Sequence, residues 1–183
     1  MKKDFAPRVL DVRALAQAGA TLSGETPVAD LPRLAADMVA SEDGSVPQVQ
    51  WTAQWETRTS RAGAEQNWLR LDASTQLPMT CQRCLGPMSQ DIDVSSLFRF
   101  VADEATAAAE DDDAEEDLLV SSPEFDLLEL VEDELLMELP VVPRHDVCPA
   151  GAALPTQAAD PEFQEEKPNP FAVLQGFRGN KTS

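Results

Sequence analysis

Cysteine and histidine are scarce in this chain of 183 residues, which has three of the first and one of the second. An odd number of thiols without a secretory leader argues against a disulfide framework and for thiols kept reduced in a cytosol. No leader is expected here, because the opening MKKDFAPRVLDVRALAQAGA meets Asp4, Pro7, Arg8, Asp11 and Arg13 before an apolar run can form. No other stretch approaches membrane-spanning length, so a soluble, cytoplasmic protein with no membrane partner is expected. Bases are few as well: 14 Lys and Arg stand against 33 Asp and Glu, a net charge of -19. Such a surface repels phosphate backbones and attracts basic partners, which disfavours autonomous RNA binding unless a local patch outweighs the whole. Catalytic signatures are missing too. There is no glycine-rich phosphate loop, no GxSxG, and the single histidine has no evident nucleophile and carboxylate beside it, so no enzyme is expected.

What is present fits one domain with a tail. A short strand around Arg8 to Leu10 leads into a helix capped by Asp11 and stopped at Gly19. A second helix through ADLPRLAADMV would take Asp30 as its cap, with Leu31, Leu34, Met38 and Val39 as its apolar stripe. From Gln48 the period becomes two, placing Val49, Trp51, Ala53, Trp55 and Thr57 on one strand face. After the turn SRAGAEQ, Leu69, Leu71, Ala73, Thr75 and Leu77 alternate in the same way, which predicts a hairpin. A third strand, with Ile92, Val94, Phe98 and Phe100 together, would pair antiparallel to the second. The fold class expected is α+β: a small antiparallel β-sheet packed by a C-terminal amphipathic helix and short N-terminal helices.

That C-terminal helix is the clearest element. In SSPEFDLLELVEDELLMELP, Asp126 caps with Glu129 three positions on, Phe125 and Leu130 take the staple positions, and Pro140 ends the run. Leu127, Leu128, Val131, Leu135 and Leu139 form its buried stripe; Glu132, Asp133 and Glu138 fall on the other face, open to a partner. Ahead of it, residues 103–117 hold nine acids and no base, the composition of a disordered, solvated insert or of a lure for a basic protein. The domain would close at residue 148. Residues 149–183 then form a flexible linker and a tail, KPNPFAVLQGFRGNKTS, where Lys167, Pro168, Asn169, Pro170, Phe171, Leu174 and Phe177 make a docking motif or fold back on the domain.

The stretch TCQRCLGPM carries Cys81 and Cys84 three positions apart, at the loop between two strands. This spacing serves a metal site, a redox pair or a binding surface. Zinc takes four soft or borderline ligands, and CxxC lets two thiolates from one turn reach the same ion. The remaining cysteine and the only histidine, Cys148 and His145, stand three apart in RHDVC and would complete a Cys3His set. A thioredoxin-like pair fits less well, because no parallel strand-helix unit flanks the motif.

Three stretches combine: CQRCLGPM, then EFDLLELVEDELLMELPVVPRHDVC, then EEKPNPFAVLQGF. Together they resemble the YceD family, the large ribosomal RNA subunit accumulation proteins. The resemblance falls at Cys81, Arg83 and Cys84, at Val131 to Glu134, at Pro140 to Pro143 with His145, and at Lys167 to Leu174. It implies a role in synthesis, processing or stability of 23S ribosomal RNA, with the large-subunit precursor as partner through a ribosomal protein or the RNA. It implies no catalytic residues. Two mechanisms then stay open. One is a non-enzymatic adaptor or chaperone whose acidic faces hold basic large-subunit components. The other is a direct RNA-binding module, with Arg83, Arg99, Arg58, Arg61 and Arg70 as a sheet patch and Trp51, Trp55 or Trp68 for stacking.

Overall fold

A computed structural model describes residues 7–40, 44–60 and 63–149. Helix α1 (Val12–Ala18) begins where Asp11 accepts a hydrogen bond from the Ala14 N–H and ends at Gly19, whose left-handed φ of 57° few other residues tolerate. Strand β1 (Thr21–Pro27) follows, then helix α2 (Pro32–Asp37), and the long strands β2 (Gln48–Thr59), β3 (Glu65–Thr80) and β4 (Pro87–Val101). Helix α3 (Glu104–Glu110), strand β5 (Asp117–Val120) and helix α4 (Leu127–Glu138) complete the described chain. The architecture is α+β, as the residue pattern predicts. The five strands lie in the order β1-β2-β3-β4-β5, antiparallel except for the parallel pair β4 and β5.

Period-two patterning gives the sheet one apolar face. Val49, Trp51, Ala53 and Trp55 of β2, Leu69, Leu71, Ala73 and Leu77 of β3, and Ile92, Phe98 and Phe100 of β4 are all buried. Helices α1, α2 and α4 bring Leu15, Leu34, Leu127, Val131 and Leu135 into the same core. Trp55, Phe100 and Phe125 meet there, with Phe125 edge-on to both other rings. The expected strand at Arg8 to Leu10 shrinks to a single bridge from Leu10 to Phe125. Among the described residues no helix is long and apolar enough to cross a membrane.

Strand β1, TLSGETP, has no sequence signature because it is an edge strand with one small residue where an apolar one would be expected. Gly24 stands opposite Trp51, and a Cβ at Gly24 would lie 2.6 Å from the indole ring. The indole is held in place from the same strand, since Trp51 Nε1 donates to Thr26 Oγ1 at 3.0 Å.

Helix α2 corrects the expected cap. Asp30 lies in a 3₁₀ turn (Val28–Asp30), and Leu31 takes the N-cap position with no side-chain acceptor of its own. The acceptor comes from α4 instead. Glu132, buried rather than on a solvent face, accepts from the backbone N–H groups of Arg33 at 2.7 Å and Leu34 at 3.1 Å. Its second oxygen accepts from Arg33 Nε at 3.1 Å, and Asp133 takes another nitrogen of the same guanidinium. A carboxylate at a helix start satisfies free N–H donors and the positive end of the helix together.

Residues 103–117 also depart from expectation, because they are built rather than disordered. Asp103 caps α3 by accepting from the Thr106 N–H at 2.8 Å, a 3₁₀ turn spans Asp111–Asp113, and β5 pairs with the end of β4. Composition fails here because the anchor lies outside the segment. Arg99 of β4 receives both Glu110 and Glu116.

Candidate metal centre

Strands β3 and β4 run together to the pair Thr80 and Pro87, and the six residues between them form a tight loop. Its neck is closed by the Cys81 N–H donating to the Gly86 carbonyl at 2.9 Å and the Leu85 N–H donating to the Cys81 carbonyl at 2.8 Å. This winding puts Leu85 at φ 59°, a left-handed conformation for a branched side chain. It also turns the thiols of Cys81 and Cys84 to the same side.

The other half of the site arrives after α4. Leu139 and Pro140 end the helix, and the chain returns to the loop, where the Gln82 N–H donates to the Pro143 carbonyl at 2.8 Å. That bond brings His145 and Cys148 onto Cys81 and Cys84. The four ligand atoms, three Sγ and one imidazole nitrogen, lie within 4.8 Å of one another. Cys81 Sγ is 3.9 Å from Cys148 Sγ, and Cys84 Sγ is 3.4 Å from His145 Nδ1. A tetrahedral ion with sulfur ligands at about 2.3 Å and nitrogen at about 2.0 Å needs edges of roughly 3.5–3.8 Å. Both contacts fall near that range, so this group could hold a metal ion.

The protonation pattern suits the same role. His145 Nε2 lies 3.2 Å from the Pro87 carbonyl, which only accepts, so in the neutral ring the hydrogen sits on Nε2 and the Nδ1 lone pair faces the cysteines. Burial alone would raise the Cys81 thiol, but N–H groups of His145, Cys84 and Arg83 turned toward its sulfur bring it down to about 5. Cys148 moves the other way: burial pushes it up, and so do the neighbouring Cys84 and Cys81 sulfurs. Three thiols this close cannot all carry charge unaided. A cation among them removes that conflict.

Around this group several apolar side chains reach the surface. Leu85, Val141, Val142 and Val147 are exposed, with Arg83 and Arg144 exposed beside them. The expected arginine and tryptophan patch comes together only in part: Arg58, Arg70 and Arg99 gather about Trp68 at one end of the sheet, without Arg83, Trp51 or Trp55. Arg83 caps one end of the β3–β4 hairpin, whereas Arg99 pairs with Trp68 twelve residues down β3, about 40 Å away at strand rise. Arg99 is buried and neutralised by Glu110 and Glu116, which corrects its expected place on an open surface. Trp51 and Trp55 point into the core, and Trp68 alone of the three faces outward, under Arg58. Arg61 and the tail residues Lys167 to Phe177 lie outside the described residues. No sequence signal marks the carbonyls of Pro87 and Pro143, because any residue supplies that acceptor.

Comparison with known proteins adds a second line of observation. A family model described as Large ribosomal RNA subunit accumulation protein YceD matches residues 69–178, more than half of the chain and all four clustered ligands. The Large ribosomal RNA subunit accumulation protein YceD of Haemophilus influenzae is 34% identical over 102 residues, covering 55% of this chain and 59% of that relative. The match thus spans well under two thirds of the relative's length. No solved structure matches the chain.

Proposed function

Since the chain belongs to the YceD family of large ribosomal RNA subunit accumulation proteins, we propose that it promotes accumulation of 23S ribosomal RNA as a non-enzymatic adaptor or chaperone. Basic components of the large subunit are its partners, held by acidic faces while the precursor particle is built. One observation carries this reading over direct RNA binding: Arg99, at the centre of the sheet's cationic region, is spent on two carboxylates of the same chain. With Arg33 and Arg58 also in ion pairs, these arginines are spent within the chain and the net charge of -19 is left for basic partners.

Zinc is the ion proposed for Cys81, Cys84, His145 and Cys148. Three thiols and one imidazole are a structural donor set with no open position, so the ion would clamp the β3–β4 loop to the chain leaving α4 and supply no chemistry of its own. The clamp presents Leu85, Val141, Val142 and Val147 as a contact surface. The KPNPFAVLQGF segment, with Lys167, Phe171, Leu174 and Phe177, is the docking motif of the proposed complex.

Sedimentation of a tagged copy through a gradient of cell lysate tests the adaptor reading. Migration with large-subunit precursors is expected, kept when Arg83 and Arg144 are changed to glutamine and lost when residues 167–177 are removed. Recovery at the top of the gradient under every salt condition would overturn it.

A further inference from the structure

The outer face of the sheet is divided by charge. At one end, Trp68 stands across from Arg99, Arg70 lies two residues along β3, and the Arg58 guanidinium sits 4.3 Å from the Trp68 ring centre. At the other end the same face carries Asp72, Asp91 and Asp93. Over the cationic end lies the acidic segment, and between them is a half-open cavity of about 930 Å³ lined by Arg58, Trp68 and Arg99 of the sheet and by Glu110, Asp113, Glu115 and Glu116 of the segment.

The lid is held in an unusual way. Helix α3 and the 3₁₀ turn after it bury no residue at all, and a helix of seven residues is too short to be stable alone. Its main anchor is one arginine, whose side chain is 9% exposed and bonds Glu110 at 2.6 Å and Glu116 through Nε. Beneath it, Trp68 is also 9% exposed, and its indole Nε1 has no acceptor. A buried donor without a partner marks a place where an acceptor belongs.

We propose that this groove is a binding site for the phosphodiester backbone of single-stranded RNA, masked at rest by residues 104–116 acting as an internal competitor. The guanidinium fork accepts carboxylate and phosphate by the same paired geometry, so Glu110 and Glu116 occupy positions that phosphate oxygens would take. Three arginines around an indole on the outer face of the sheet are the elements by which single strands are held. An acidic peptide is the less apt occupant. One is already in place and leaves the indole N–H unmatched. Helix α3 and its turn bury no residue of their own, so opening the lid costs the Arg99 ion pairs and the cover of the Trp68 ring, and a basic partner that draws the acidic segment away would uncover the RNA site. This inference goes beyond the adaptor reading and does not depend on it.

The test is fluorescence anisotropy of a labelled single-stranded oligouridine with the full chain at low and moderate salt. Changing Glu110→Gln and Glu116→Gln together should tighten binding about tenfold, within the usual range of coupling between linked sites. The variant Asp111→Asn with Asp112→Asn makes the same change of net charge without touching Arg99 and should bind like the parent. Adding Arg99→Met to the glutamine pair should abolish the gain. If the pair loses its fold, Glu110→Gln alone keeps the Glu116 contact and should give about a threefold gain. The proposal is overturned by no gain in either opened form, by an equal gain in the Asp111 and Asp112 variant, or by a gain that survives loss of Arg99. It is overturned equally if labelled polyglutamate binds the opened protein more tightly than the RNA.

Discussion

Replacing Cys84 or Cys148 by serine leaves a hydroxyl where a thiolate should face Cys81 and His145, and an oxygen of ordinary acidity is a poor ligand for zinc. Each variant should purify with far less than the one equivalent of zinc expected of the parent, measured by elemental analysis, and its β3–β4 loop should become open to protease. Parent protein free of metal, or a serine variant that keeps it, would contradict the assignment. This Cys3His cluster was legible in the sequence because scarcity did the sorting: with three cysteines and one histidine, two three-residue spacings were the whole supply. Glu132 was not legible. Its partners, the N–H groups of Arg33 and Leu34, lie about a hundred positions away, and on α4 it looked like one more solvated acid. Glu132→Leu should lower stability by about 1–2 kcal/mol through loss of the cap of α2, read as a lower Tm without a change in metal content.

At the scale of elements, the pieces with strong internal periodicity were readable and those defined by a neighbour were not. The β2–β3–β4 meander and α4 carry their own apolar patterns and caps, and the structure has them where the patterns put them. Strand β1 owes its place to Gly24 making room for Trp51, and β5 is a four-residue strand pairing with β4. Neither signal is local. Leu135→Ala in α4, at a site with no exposure, should cost about 2–5 kcal/mol in denaturant unfolding. The acidic segment should respond to pH instead. Burial pushes the Glu116 carboxyl up, but the hydrogen bond and charge of Arg99 outweigh it, and the Thr106 N–H draws Asp103 down. Folded values below the unfolded ones mean that this stabilisation is complete above the ordinary carboxylate range, about 4, and is lost as pH falls through the lowered values. Amide resonances of Ala107 to Ala109 should therefore move to unstructured positions on acidification before those of α4 do. Simultaneous loss of both would contradict the weak anchoring of α3.

For the whole molecule, the charge of -19 and the clamp of loop to helix end act at different levels. The proposed clamp would fix the shape of the exposed apolar residues beside it, and the charge would select what approaches them. Net charge was readable from composition, but its distribution was not, since Arg99 of the sheet is covered by acids that follow it in sequence. The proposed role in ribosomal RNA accumulation is reached directly by the ratio of large- to small-subunit ribosomal RNA in cells of the source organism with and without this gene. The ratio should fall when the gene is removed, return with the parent protein, and return poorly with the Cys84→Ser and Cys148→Ser double variant. An unchanged ratio after removal would contradict it.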